Sequence, residues 1–311
     1  MPTGIPEARD HVPISSKRDI LGQGLAAREP DPRAVRSGSA SGAYGLAVHG
    51  LESCRRLLPA ADPGWPAVRI ESRELETRER PPQRLDDDEA LIWTRDDGHA
   101  LFDRRRGVVT AFRATALAPE ELIHPLLARA GAVFGAWMGR YAFHAGTVVA
   151  GGRAWALLGG RESGKSTLLA ALAAAGCGVL ADDTLVLEDG RAFAGPRCID
   201  LRDPAPKRLG VGDRVVPVRD PVRYRLALPA IAGEVALGGW IHLAWADSVE
   251  VKPIPPGERL GRLSRLRAWQ PERDALALLD LAALPAFELR RPRSWEALAR
   301  TADAVLNAVT A

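Results

Sequence analysis

Short runs in which apolar and polar residues alternate dominate the first third of the chain. Ala43-Tyr-Gly-Leu-Ala-Val-His49, Val68-Arg-Ile-Glu71, Ala90-Leu-Ile-Trp93 and Val108-Val-Thr-Ala-Phe112 each predict a strand, and Pro- and charge-rich turns separate them. Together they predict a small antiparallel β-rich region over residues 43–115. Residues 1–42 show little periodicity. They carry Pro2, Pro6, Pro13, Pro30, Pro32 and the small polar run Ser37–Ser41, which predicts a disordered leader.

The period changes at Pro119-Glu120-Glu121. Proline in the first turn and acids near the positive end of the dipole open a helix there. Its apolar residues recur three and four apart through Leu122, Leu126, Leu127, Ala130, Val133, Phe134 and Trp137, with His124-Pro125 as an interruption. Thr147–Ala150, the pair Gly151-Gly152 and Ala154–Leu158 read as a hairpin running into a glycine-rich loop. A helix over Thr167–Ala175 and a strand over Gly178–Ala181 follow. Leu185–Glu188, Asp189-Gly190 and Arg191–Phe193 form a second hairpin. Further strands are expected at Arg223–Leu228, Gly239–Ala244, Val249–Pro253 and Ala286–Leu289, with helices at Gly257–Trp269 and Trp295–Val309. There is no internal repeat. The pattern predicts an α/β domain over residues 116–311.

Composition narrows the class without changing that layout. Hydrophobic residues make up 46% and charged residues 26%, ordinary values for a soluble globular chain. The net charge of +3 demands neither a nucleic acid nor an anionic membrane as partner. Cys54, Cys177 and Cys198 have no CxxC spacing, which argues against a zinc site or a disulfide framework. With no signal-peptide pattern and no long apolar span, the expected location is cytoplasmic.

Gly159-Gly160-Arg161-Glu162-Ser163-Gly164-Lys165-Ser166 fits GxxxxGK[ST] at every fixed position. Glycines let successive N–H groups face one phosphate, Lys165 reaches the β- and γ-phosphates, and the Ser166 hydroxyl suits Mg²⁺. These residues and Thr167 are the candidate ATP contacts. Lys165 is one of only four lysines, against many arginines. Asp182 and Asp183 end a strand 17 residues after Lys165, where one carboxylate can serve Mg²⁺ and the other can take a proton from an attacking hydroxyl. The working assignment makes Asp182 the base and gives Asp183, with Ser166, to the metal, although the two roles can be exchanged. His144, before the Thr147 strand, stands within reach of the phosphates. Arg197 is the candidate for an additional phosphate contact, among Arg202, Lys207 and Arg208.

Tyr141-Ala-Phe-His-Ala-Gly146, Gly159–Ser166 and Leu180-Ala-Asp-Asp-Thr184, in this order and spacing, resemble the catalytic core of the HPr kinase/phosphorylase family. The resemblance implies the mixed sheet of that family's C-terminal domain, of the phosphoenolpyruvate-carboxykinase type, with its P-loop. It also implies ATP and Mg²⁺ as cofactors and His144 at the transfer site. Tyr44-Gly-Leu, Leu57-Leu-Pro59, Val249–Ile254, Leu284–Leu289 and Arg291-Pro292 are similar to a shorter subgroup that phosphorylates a serine of lasso-peptide precursors. The partner so implied is a peptide or protein with a Ser/Thr hydroxyl. Relatives assemble into oligomers, which implies a homo-oligomer here. Two features depart from the family pattern: Arg161-Glu162 in the loop, and Thr167 where an acid often follows the loop's serine. The resemblance therefore implies kinase rather than phosphorolytic activity, and an acceptor other than HPr. Two alternatives remain at this stage: a small-molecule hydroxyl kinase, or a nucleotide-binding switch that transfers nothing.

Overall fold

Alternating buried and exposed positions build the first sheet, as in β3, where Val68 and Ile70 face inward and Ala67 and Arg69 outward. The computed structural model describes residues 40–75, 81–94, 98–215, 222–266 and 275–310. The predicted leader lies outside these residues except for its last three. Of those, Ser41 and Gly42 belong to the first strand. Strands β1 (Ser41–Ala43), β2 (Leu46–His49), β3 (Ala67–Glu74), β4 (Arg84–Leu85), β5 (Glu89–Trp93), β6 (His99–Asp103) and β7 (Val108–Arg113) form one sheet in the order β1-β2-β3-β7-β6-β5-β4. The expectation of antiparallel pairing is corrected here, since β2–β3 and β3–β7 are parallel. A crossover carrying the 3₁₀ turn Glu52–Leu57 replaces a hairpin between β2 and β3. The meander β4–β7 then returns its last strand alongside β3.

The helix expected from Pro119 is split at the interruption into α1 (Pro119–Leu122) and α2 (Leu126–Trp137). Their apolar faces close the first core against Leu46, Phe102, Val109 and Ile123. The second, mixed sheet comes next. It begins with β8 (Tyr141–Phe143), β9 (Ala145–Ala150) and β10 (Arg153–Leu158). It continues after helix α3 (Lys165–Ala174) with β11 (Gly178–Ala181), β12 (Leu185–Glu188) and β13 (Arg191–Phe193). Both predicted hairpins form: β9–β10 turns on Gly151 (φ 56°) and Gly152 (φ 72°), and β12–β13 on Asp189 (φ 48°) and Gly190 (φ 71°). A small antiparallel sheet of β14 (Cys198–Leu201), β15 (Asp213–Arg214) and β16 (Tyr224–Ala227), with α4 (Ala205–Leu209), lies beside them.

The remaining elements are β17 (Glu234–Trp245), β18 (Glu250–Pro253), α5 (Pro256–Ser264), α6 (Ala275–Ala283), β19 (Ala286–Arg291) and α7 (Leu298–Thr310). The 12-residue β17 organises the second sheet. One edge pairs in parallel with β10; the other pairs first with β13 and then, in parallel, with β19. The switch falls at Gly238-Gly239, where a Cβ on Gly239 would stand 2.2 Å from the Pro285 carbonyl. Apolar residues cover both faces of β10. Ala154, Ala156 and Leu158 pack toward α5 and α6, while Trp155 and Leu157 pack toward α3 and α7. The protein is thus mixed α/β with more than one mixed sheet. Among the described residues, no helix is long and apolar enough to cross a membrane.

Tyr44, in the β1–β2 turn, ties the first sheet to the second. Its ring lies against Gly131 of α2 and against Gly195; a Cβ there would come within 2.6 and 2.7 Å of it. Its hydroxyl donates to the Asp182 carbonyl at 3.3 Å.

Candidate active site

Strands β10, β17 and β19 run parallel, with Leu158 opposite His242 and Trp245 opposite Arg291, so their carboxyl ends emerge on the same side of the sheet. That is where open α/β sheets gather ligand-binding groups. A cleft of about 790 Å³ opens there. It is lined by residues 161–167, His144, Asp182, Asp183, the β14–α4 segment, Trp245 and residues 291–295, together with Glu121, His124 and Arg129.

The glycine-rich loop leaves β10 and turns into α3 through Glu162 (φ 64°) and Gly164 (φ 79°). Gly164 caps the helix in a left-handed conformation that glycine adopts at little cost. Lys165 is only 7% exposed, and its ammonium folds back to donate to the Gly159 and Gly160 carbonyls at 2.7 and 3.1 Å. Burial lowers its pKa, and the nearby Asp183 and Asp182 pull it the other way. Two bonds leave one of its three N–H donors for a ligand. The loop's own N–H groups and the start of α3 form a positive, anion-accepting end.

Beyond the loop, β11 delivers the two aspartates into unlike settings. Asp182 is 5% exposed; its Oδ1 accepts from the Ser166 hydroxyl and from the Asp183 N–H, both at 3.0 Å. Burial pushes its carboxyl up to about 6. The neighbouring His124 opposes this shift, and Asp183 adds to it. Asp183, at φ 73°, turns its partly exposed carboxylate into the cleft. Its Oδ1 lies 3.4 Å from His144 Nδ1, which also sits 2.9 Å from the Asp183 carbonyl.

The structure therefore brings His144, Lys165, Ser166, Asp182 and Asp183 together, with Arg161, Glu162, Ser163, Gly164 and Thr167 on the same cleft. Arg161 and Glu162 face each other in a loose exposed pair at 4.0 Å. Arg197 is elsewhere, which corrects that assignment. It precedes β14 and lines a separate depression with Arg55 and Arg56, and its guanidinium donates to the Arg56 carbonyl. Arg202, directly after β14, does reach the cleft.

Several cleft residues carried no signal in the sequence. Asp200 and Arg225 form a buried bidentate pair, with both N–O distances 2.7 Å, and Arg225 also donates to the Glu120 carbonyl at 2.7 Å. Burial pushes Asp200 up, but the Arg225 hydrogen bonds together with the charges of His124, Arg225 and Arg223 outweigh it and hold the carboxyl below its usual range. Arg291, at the end of β19, donates to the Ser163 carbonyl and lies over the Trp245 ring at 4.4 Å. Burial lowers its pKa to about 10. Arg291 Nε and the Ser163 hydroxyl are both buried without a hydrogen-bond partner.

No family model matches the chain, and no curated protein matches it. Among solved structures it is similar to the HPr(Ser) kinase/phosphatase from Coxiella burnetii, at 12% identity over 54% of this chain and 95% of that one, with a TM-score of 0.28. At that depth the likeness carries no functional assignment, and the roles of the residues rest on the cleft's own geometry.

Proposed function

We propose that the chain is an ATP-dependent kinase that transfers the γ-phosphoryl group to a hydroxyl, with a Ser or Thr of a peptide as acceptor. The observation that carries this reading is the division of the acid pair. One carboxylate is buried against the hydroxyl of the loop's serine; its neighbour is turned into the cleft against a histidine. A nucleotide-binding switch has no need of the second carboxylate.

Ser166 and Asp182 present two hard oxygen donors 3.0 Å apart at the loop's mouth. Among the described residues, no three His, Cys, Asp or Glu side chains cluster as a protein-only metal site requires. That combination suits Mg²⁺, which takes one or two protein oxygens and completes its shell with phosphates and water. When bound, Mg²⁺ neutralises charge on the β- and γ-phosphates. This geometry favours the exchanged roles: Asp182 with Ser166 at the metal, and Asp183 as base.

His144, beside the Asp183 carboxylate, holds it toward the acceptor. The acceptor oxygen bonds to the γ-phosphorus as the bond from that phosphorus to the β–γ bridging oxygen breaks. The hydroxyl proton passes to Asp183, and ADP leaves with Lys165 against its new charge. His124 and Arg129 also line the cleft, whose volume of about 790 Å³ supports a peptide segment as acceptor better than a small alcohol.

The test is transfer from labelled ATP to a panel of Ser- and Thr-containing peptides. Asp183→Asn is expected to lower the rate by about 10²- to 10⁴-fold while ATP binding is retained. Wild-type transfer by this variant to the same peptide would refute the assignment. Label moving only to a small alcohol would refute the peptide acceptor.

A further inference from the structure

The phosphate end of the cleft is accounted for by the loop and the acid pair; its other flank is not. Trp245 ends β17 with 42% of its surface exposed, one of the few large apolar side chains left open among the described residues. It stands directly against the loop: a Cβ on Gly164 would lie 3.3 Å from the indole and 3.0 Å from the Arg291 guanidinium. Arg291 lies over the ring at 4.4 Å and Arg293 at 5.9 Å. Arg291 is itself 5% exposed, lines the cleft, and has an Nε with no partner. An unsatisfied buried donor beside a partly exposed aromatic ring on the cleft points to a ligand that has both a flat ring and an acceptor oxygen.

The direction of a bound nucleotide follows from the chemistry. Its γ-phosphate has to face Asp183 and Ser166. The nucleoside therefore leaves the loop on the other flank, where Ser163 and Gly164 meet Arg291 and Trp245.

We propose that Trp245, braced by Arg291, is the platform on which the base of the nucleoside triphosphate stacks, with Arg291 Nε donating to the ribose or α-phosphate oxygen beside it. This rests on the nucleotide-binding reading of the loop. It adds a consequence for substrate class. Stacking reads the π-face of a base rather than its hydrogen-bonding edge, so the site distinguishes a nucleotide from a bare phosphate chain but accepts either purine.

The experiment measures binding of ATP, GTP and inorganic tripolyphosphate, each with Mg²⁺, to the full chain and to Trp245→Leu and Trp245→Phe. Leucine keeps apolar cover for Arg291 but has no ring. It should weaken ATP and GTP alike, on the order of 10-fold, and leave tripolyphosphate unchanged. Phenylalanine should restore most of the loss.

Unchanged ATP binding in Trp245→Leu would overturn the platform. An equal loss of tripolyphosphate would overturn it too, because the ring would then be supporting the loop instead. A wild-type preference for ATP over GTP above about 100-fold would contradict the purine-tolerant site. If the wild-type chain binds none of the three, the nucleotide reading itself fails, a result distinct from any of these.

Discussion

Two buried carboxylates face the same cleft, and their settings are opposite. Asp200 is matched within the chain by the fork of Arg225, and that pair, with the charges of His124 and Arg223, holds its pKa below the usual range against burial. Asp182 has one hydroxyl and one N–H, no cation bonded to it, and a pKa near 6. The first pair is complete and adds nothing by binding anything. The second is incomplete, and a divalent cation would complete it. Burial alone does not mark a functional acid; burial without a cation bonded to the carboxylate does.

The contrast is broken most directly at Asp182. Asp182→Asn is expected to lower phosphate transfer by about 10³-fold or more, because the charge proposed to hold Mg²⁺, worth several kcal/mol, is removed. The same change should raise the melting temperature above pH 6. With its folded pKa raised above the ordinary 3.8, Asp182 favours the native state only when protonated. Wild-type stability should therefore fall as the pH rises from about 4 to about 6, by at most about 3 kcal/mol. The asparagine variant should lack that slope in a pH series of melting curves. If the variant is instead less stable at pH 8, the carboxylate is not strained and the comparison fails.

Arg225→Met should produce a different phenotype. It strands Asp200 without a partner and should cost about 3–5 kcal/mol in chemical denaturation, whereas the double variant Arg225→Met with Asp200→Leu should recover most of the loss. A double variant that folds but cannot transfer phosphate would give Asp200 a part in the chemistry and blur the distinction. The smallest effect belongs to Arg197→Ala. That side chain lies outside the cleft, so the transfer rate should stay within about twofold of wild type.

How much of this could be read in advance depended on sequence distance. The two hairpins, the loop and α3 were legible because turn glycines, strand alternation and the fixed loop positions lie within a few residues of one another. So was the run to Asp182-Asp183, since β11 directly follows α3. Trp245, Arg291 and Arg225 were not. They reach the cleft through the parallel pairings β10–β17 and β17–β19 and through the β14–β16 pair, and no local pattern encodes these. Arg197 misled because charge alone does not say which arginine reaches the cleft: Arg197 precedes β14 and lies outside it, whereas Arg202, just after that strand, lines it. The parallel pairings of the first sheet were hidden for the same reason, because alternation specifies a strand and not its neighbour's direction.

Tyr44 has a consequence beyond holding two sheets together. The ring fills notches that only Gly131 and Gly195 can provide, and its hydroxyl reaches the Asp182 backbone. It thereby pins the backbone of the residue that carries the buried acid. The seat of Asp182 is thus tied to a residue 138 positions away in the chain. The first sheet, which supplies neither the loop nor the aspartates, thus helps fix the backbone from which they project.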